Sequence, residues 1–355
     1  MSHTPLGFVS GEYQQAGPGS CLISAERRPD ARPLRTGELD LVSQLTAVPA
    51  PVRQESVSYA VELRGIRKTY DDFIAVDHLY LNIRRGSVYG LLGPNGAGKT
   101  STIRMMIGIT MPDDGQVRLF GEPFHREQLD RIGYMPEERG LYKRMKVLDH
   151  LVFLGKLHHL SDEEARKRSL EWCERLQLAD WTHKKVEELS KGMQQKVQFI
   201  GTLLHGPELV IMDEPFSGLD PANSVMLKDV LIELKKAGKT ILFSTHRMDQ
   251  VERLCDSICL IDHGKAVLEG DLKKIKASYG KNHVQMEYEG DPRLDDCELL
   301  ESYNNYGNYV EARLKAGADA QKLLRFVSER VRISRFELLE PSLEEIFIDQ
   351  VGRHA

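Results

Sequence analysis

Three observations predict an α/β fold built on a parallel core sheet. Short continuous apolar runs of buried-strand length recur along the chain, as in "SVYGLLG", "LVIMD" (209–213) and "TILFST" (240–245). Helices alternate with them, and one of the runs passes through a glycine loop directly into a helix. A charged helical insertion at about 141–190 interrupts this pattern, and a second texture begins after about Tyr279. The expected organisation is a tail at 1–57, an α/β domain at 58–280 that includes an antiparallel β subdomain, and a small C-terminal α+β domain at 281–355.

Each element has its own sequence signal. Residues 1–57 are rich in Pro, Gly and Ser and lack sustained periodicity, which reads as a disordered tail or as a translation start placed too far upstream. From Val61 to Ile83 short alternating stretches predict antiparallel strands. "SVYGLLG" predicts a strand running into "GPNGAGKT", with a helix from about Lys99 to Ile109. In the insertion, "SDEE" (161–164) has the form of a capping box. "LSKGMQQK" (189–196) places Ser190 as an N-cap and Gly192 in the first turn, followed by Met193, Val197, Ile200 and Leu204 at helical spacing. Asp220, Pro221 and Gly238 frame a further helix as N-cap, first residue and terminator. In the last domain "HVQMEYE", "NYVEARL" and "VRISRFELL" alternate as strands do, while "AQKLLRFVSE" and "SLEEIFIDQ" are helical.

Composition excludes several classes. With 355 residues there is room for two or three domains and a buried core, and the net charge of −5 argues against a nucleic-acid footprint over the whole chain. No apolar run approaches bilayer length, and the start lacks the apolar core of a secretory signal. Five cysteines without a CxxC pair fit a reducing cytosol, and Cys255 and Cys259 are spaced poorly for zinc. His158 and His159 read as a helix surface, "KRMK" (143–146) as a solvated patch and "YNNYGNY" as a turn between strands.

The chemistry concentrates in two places. "GPNGAGKT" (93–100) fits GxxxxGK[ST] between a strand and a helix, the context that the pattern requires. Its glycines free backbone N–H groups to wrap phosphates, Lys99 would reach the β and γ phosphates, and the Thr100 hydroxyl would bind Mg²⁺. The apolar strand ending in Asp213-Glu214 supplies a carboxylate for Mg²⁺ through water and a general base for a hydrolytic water. The helix start at Ser190 and Gly192 is a second anion site, which the first loop does not require.

The phosphate loop, "LSKGMQQK", "LVIMDEP", "SGLD" and "STH", in this order, resemble an ABC ATPase over roughly residues 60–280. "YMPEERGLY" and a C-terminal domain ending in "PSLEEIFI" further resemble the ATPase subunits of bacterial sodium- or drug-extruding exporters. The resemblance implies the P-loop NTPase fold of ABC type, ATP and Mg²⁺ as ligands, and a homodimer driving a separate transmembrane permease from the cytoplasmic face of the membrane. It also implies nucleotide contacts by Gly93, Pro94, Asn95, Gly96, Ala97, Gly98, Lys99, Thr100 and Ser101, with Tyr70 stacking on adenine and His246 touching the γ phosphate. Ser190 and Gly192 would hold the γ phosphate of ATP bound by the opposite subunit, and Asp220 would communicate across the dimer. Two departures stand out. Lys191 and Met193 replace a Gly and the Gln of the usual LSGGQ, and Glu137 stands where a Gln usually faces Mg²⁺. A non-transport ABC ATPase acting on nucleic acid or the ribosome is the alternative, but only one phosphate loop is present, without long coiled coils or zinc modules. A GTPase would need an NKxD motif, which does not follow the loop.

Overall fold

A computed structural model of the chain describes residues 58–315 and 317–354. The expected tail at 1–57 lies outside the described residues. The chain opens with β1 (Tyr59–Tyr70), β2 (Phe73–Arg84) and β3 (Val88–Leu92), then α1 (Lys99–Met106), β4 (Asp114–Leu119), β5 (Glu122–Pro123) and β6 (Ile132–Met135). The insertion carries α2 (Val147–Leu157) and α3 (Asp162–Arg175) and leads into α4 (Lys191–Leu203). There follow β7 (Leu209–Asp213), α5 (Pro221–Lys236), β8 (Thr240–Thr245), α6 (Met248–Leu254), β9 (Ser257–Asp262), β10 (Lys265–Asp271) and α7 (Leu272–Tyr279). The last part comprises β11 (His283–Glu289), β12 (Leu300–Asn305), β13 (Tyr309–Leu314), α8 (Ala320–Ser328), β14 (Arg332–Leu339) and α9 (Leu343–His354).

Three sheets form. The central one has the order β10-β9-β3-β8-β7-β6. It is parallel from β9 to β6, with β10 antiparallel at one edge. Because side chains alternate across a strand, each buried strand feeds two cores. Val210, Met212, Ile241, Phe243, Ile258 and Leu260 face the core shared with the insertion and α4 to α7. Leu209, Ile211, Leu242, Cys259 and Ile261 face the core shared with α1 and the antiparallel sheet β2-β1-β4-β5. Burial on both faces is why these strands read as unbroken apolar runs.

The helix starts follow their caps. Ser190 Oγ accepts from Met193 N at 3.3 Å, and Asp220 Oδ1 accepts from Asn223 N at 2.8 Å. Ser161 accepts from Glu164 N at 3.2 Å, the forward half of the expected capping box. Val197, Ile200 and Leu204 are buried in the first core, as the spacing in "LSKGMQQK" requires.

The third sheet, β12-β13-β11-β14, packs with α8 around its own core, which includes Val284, Met286, Val310, Leu323 and Val327. The final helix behaves differently. Leu343 and Ile346 of α9 are buried in the first core with Val251, Leu254, Leu272 and Ile275. The turn in "YNNYGNY" is narrower than its composition suggests, since Tyr303 belongs to β12 and Tyr309 to β13. Nor is His158 a plain surface residue: it caps the C-terminus of α2, and its ring stacks flat on His205 with centroids 3.8 Å apart. Among the described residues no helix is long and apolar enough to cross a membrane.

Candidate active site

The loop between β3 and α1 is shaped by backbone proximity. A Cβ at Gly93 would lie 2.1 Å from Ile261 O, and one at Gly98 would lie 2.3 Å from Ala75 O. Gly98, the residue before α1, also sits at φ 106°, where side chains are strained. Only glycine fits either position, so the chain passes close to its neighbours as it enters α1, whose first-turn N–H groups have no partner within the helix.

Tyr70, Asn95, Gly96, Gly98, Lys99, Thr100, Ser101, Glu137, Asp213 and Glu214 come together around one cavity of about 330 Å³. Phe73 and Ala75 complete its lining. Lys99 is 7% exposed, and its Nζ donates to the carbonyl oxygens of Gly93 at 2.8 Å and Pro94 at 3.0 Å. Burial pulls its ammonium below the ordinary lysine range, while Glu214, Asp213 and Glu137 pull it back up. Thr100 Oγ1 donates to Asp213 Oδ2 at 2.7 Å. These oxygens suit a hard cation, and Mg²⁺ is commonly held by one or two carboxylates together with substrate phosphates.

Glu214 is buried and has φ 50°, a left-handed conformation uncommon for a side-chain-bearing residue. Its carboxylate accepts from Thr245 Oγ1 at 3.2 Å and from His246 N at 3.0 Å. His246 Nδ1 lies 2.8 Å from the same Oε1. A carboxylate only accepts, so in this contact Nδ1 carries the proton. Ser244 Oγ donates to Asp213 Oδ1 and also accepts from Glu214 N. Ser244 and Thr245 were not singled out in the sequence. Their signal was a polar pair closing the otherwise apolar run "TILFST", beside the strand that ends in the two acids.

Ser190, Gly192 and Asp220 do not line this cavity. They meet elsewhere: a Cβ at Gly192 would lie 3.5 Å from Asn223 Nδ2, which itself donates to Asp220 Oδ2. The starts of α4 and α5 are therefore neighbours. Hydrogen bonding from the Asn223 backbone holds the Asp220 carboxyl below the usual range.

Known proteins resemble this chain in sequence and in fold. Residues 76–217 match the ABC transporter family, and residues 270–351 match the C-terminal domain of DrrA1-3-like ATP-binding proteins. The chain is 46% identical over 288 residues to an ABC transporter ATP-binding protein of Bacillus subtilis, YhaQ, covering 81% of this chain and 97% of that one. It is 33% identical over 310 residues to a Nod factor export ATP-binding protein I of Paraburkholderia xenovorans, covering 83% and 97% of the two. A dimeric, post-hydrolysis structure of the ATP-binding cassette MJ0796 with ADP and Pi superposes with a TM-score of 0.56 at 26% identity, over 60% of this chain and 98% of that one. The chain belongs to the ATP-binding subunits of ABC transporters, and it is an ATPase. Members of this family bind ATP, dimerise and work with a transmembrane subunit.

Proposed function

We propose that this chain is the motor of an exporter, in which two copies close on ATP, hydrolyse it and reopen, moving a separate permease from the cytoplasmic face of the membrane. The name of the Nod factor export relatives supports the direction. The observation that carries the hydrolytic reading is the pairing of two acids on adjacent residues with different partners. Asp213 engages Thr100, while Glu214 engages His246. Lys99 and backbone N–H groups at the start of α1 hold the phosphates, and Tyr70 offers a ring to adenine at the exposed mouth of the cavity. Thr100, Asp213 and Glu137 would hold Mg²⁺, which would supply positive charge to offset that of the phosphates.

In this reading Glu214 takes the proton from the attacking water at its carboxylate, and the contacts from Thr245 and His246 fix its direction. With Nδ1–H committed to Glu214, His246 Nε2 can donate to an anion only from the imidazolium form. Ser190 and Gly192 present a helix N-terminus to the partner's γ phosphate, and Asp220 lies beside them to carry closure between sites. We divide the chain into a cassette at 58–280 and a smaller domain at 281–355.

Glu214→Gln separates binding from chemistry. The variant should bind ATP, hydrolyse it very slowly and elute from gel filtration as a dimer in Mg-ATP. Elution as a monomer at every ATP concentration, or hydrolysis at the normal rate, would refute the assignment.

A further inference from the structure

We propose that Gln195 is a positioning residue for Glu214, gripping the turn that follows the base and so aiming its carboxylate into the cavity. The inference rests on the reading of Glu214 as that base. The φ of 50° at Glu214 belongs to a sparsely populated region that persists only where the surroundings over-determine it. On the upstream side, Glu214 N donates to Ser244 O and Oγ, each at 3.2 Å. Downstream, the turn closes through Ser217 N onto Glu214 O at 3.1 Å. The next residue, Pro215, has no N–H with which to anchor itself. Its carbonyl oxygen is held from another element, by Gln195 Nε2 of α4 at 3.2 Å.

The orientation of this amide is settled by chemistry. Gln195 is 3% exposed, and its Oε1 accepts from Arg139 Nε at 3.1 Å. A guanidinium only donates and a carbonyl only accepts, so Oε1 must face Arg139 and Nε2 must face Pro215. Arg139 follows Glu137 by two residues, and Gln198 Nε2 donates to Pro136 O of the same loop at 2.7 Å. One face of α4 thus ties together the two loops that bring Glu137 and Glu214 to the cavity. Ser190, proposed to meet the partner's nucleotide, caps this same helix.

Gln195→Glu in the full chain tests the assignment. It keeps the shape and strengthens the attraction to Arg139, but sets a carboxylate oxygen against the Pro215 carbonyl, where only a donor fits. A residue serving only as a partner for Arg139 would tolerate the change. A positioning residue should lose kcat by about 10-fold or more, on the order of 1.4 kcal/mol in barrier. KM for ATP should hold within about twofold, because Gln195 does not line the cavity. Gln195→Met, uncharged and of similar length, should show the same split should the acidic variant not fold. In a Glu214→Gln background, measured by single turnover, Gln195→Glu should add little, since residues acting as a unit are not additive. Normal kcat in both Gln195 variants, or an equal loss with and without Glu214, would overturn the proposal. A normal rate in Glu214→Gln alone would locate the failure in the base assignment, and the inference would fall with it.

Discussion

At the scale of single residues, the site depends on where charge is buried. Lys99 is the cation of the cavity lining, and it is folded back onto the carbonyls of its own loop. Lys99→Ala should lower ATP hydrolysis by on the order of 10²-fold or more, about 2.7 kcal/mol in barrier, and phosphate release at the parent rate would contradict its role. Most of this chemistry was legible in the sequence, because a phosphate loop and an acidic strand end are local patterns. Ser244, Thr245 and Gln195 were not. Their partners lie 20 to 56 residues away, and their contacts exist only once β7, β8 and α4 are packed together.

At the scale of elements, α2 carries a feature that its sequence did not announce. His150 is fully buried, neither ring nitrogen has a hydrogen-bond partner, and burial lowers its pKa to about 4. An unfolded histidine titrates near 6.5, so between these values the unfolded chain binds more protons than the folded one. The stability that comes from keeping His150 neutral is complete above about pH 6.5 and is lost as pH falls toward 4. Between pH 7 and pH 5 the loss is about 2 kcal/mol. His150→Leu, which has no polar atoms to leave unpaired, should flatten that part of the curve. Thermal melts at the two pH values check this, and an equal drop in variant and parent would exclude His150 as the source. Periodicity could find α2 as a helix, but could not tell an inward histidine from an outward one. The same limit applies to α9, where periodicity gave the helix in "SLEEIFIDQ" but not the core it would join. Leu343 and Ile346 join the core that Val251 and Leu254 of α6 also enter, and Leu343 N donates to Glu252 of α6 at 2.6 Å.

At the scale of the molecule, the two halves of the proposed composite site lie apart in one chain. Lys99 and Glu214 line the cavity, while Ser190 and Gly192 open a helix that does not. None of the motifs assigned to the site lies in residues 1–57. Deleting them should leave hydrolysis and thermal stability nearly unchanged, and a large loss of either would show that they pack on the cassette. The claim that each nucleotide is held by two chains is tested most directly by defined heterodimers. One dimer pairs a Lys99→Ala chain with a Ser190→Arg chain; the other carries both changes on one chain beside an unaltered partner. If Ser190 serves the neighbour's nucleotide, the two lesions of the first dimer fall in one site and leave the other intact, whereas the second dimer has a lesion in each site. The first dimer should therefore hydrolyse ATP faster. The reverse order, as expected if Ser190 served its own chain's nucleotide, or equal rates above background, would contradict the account.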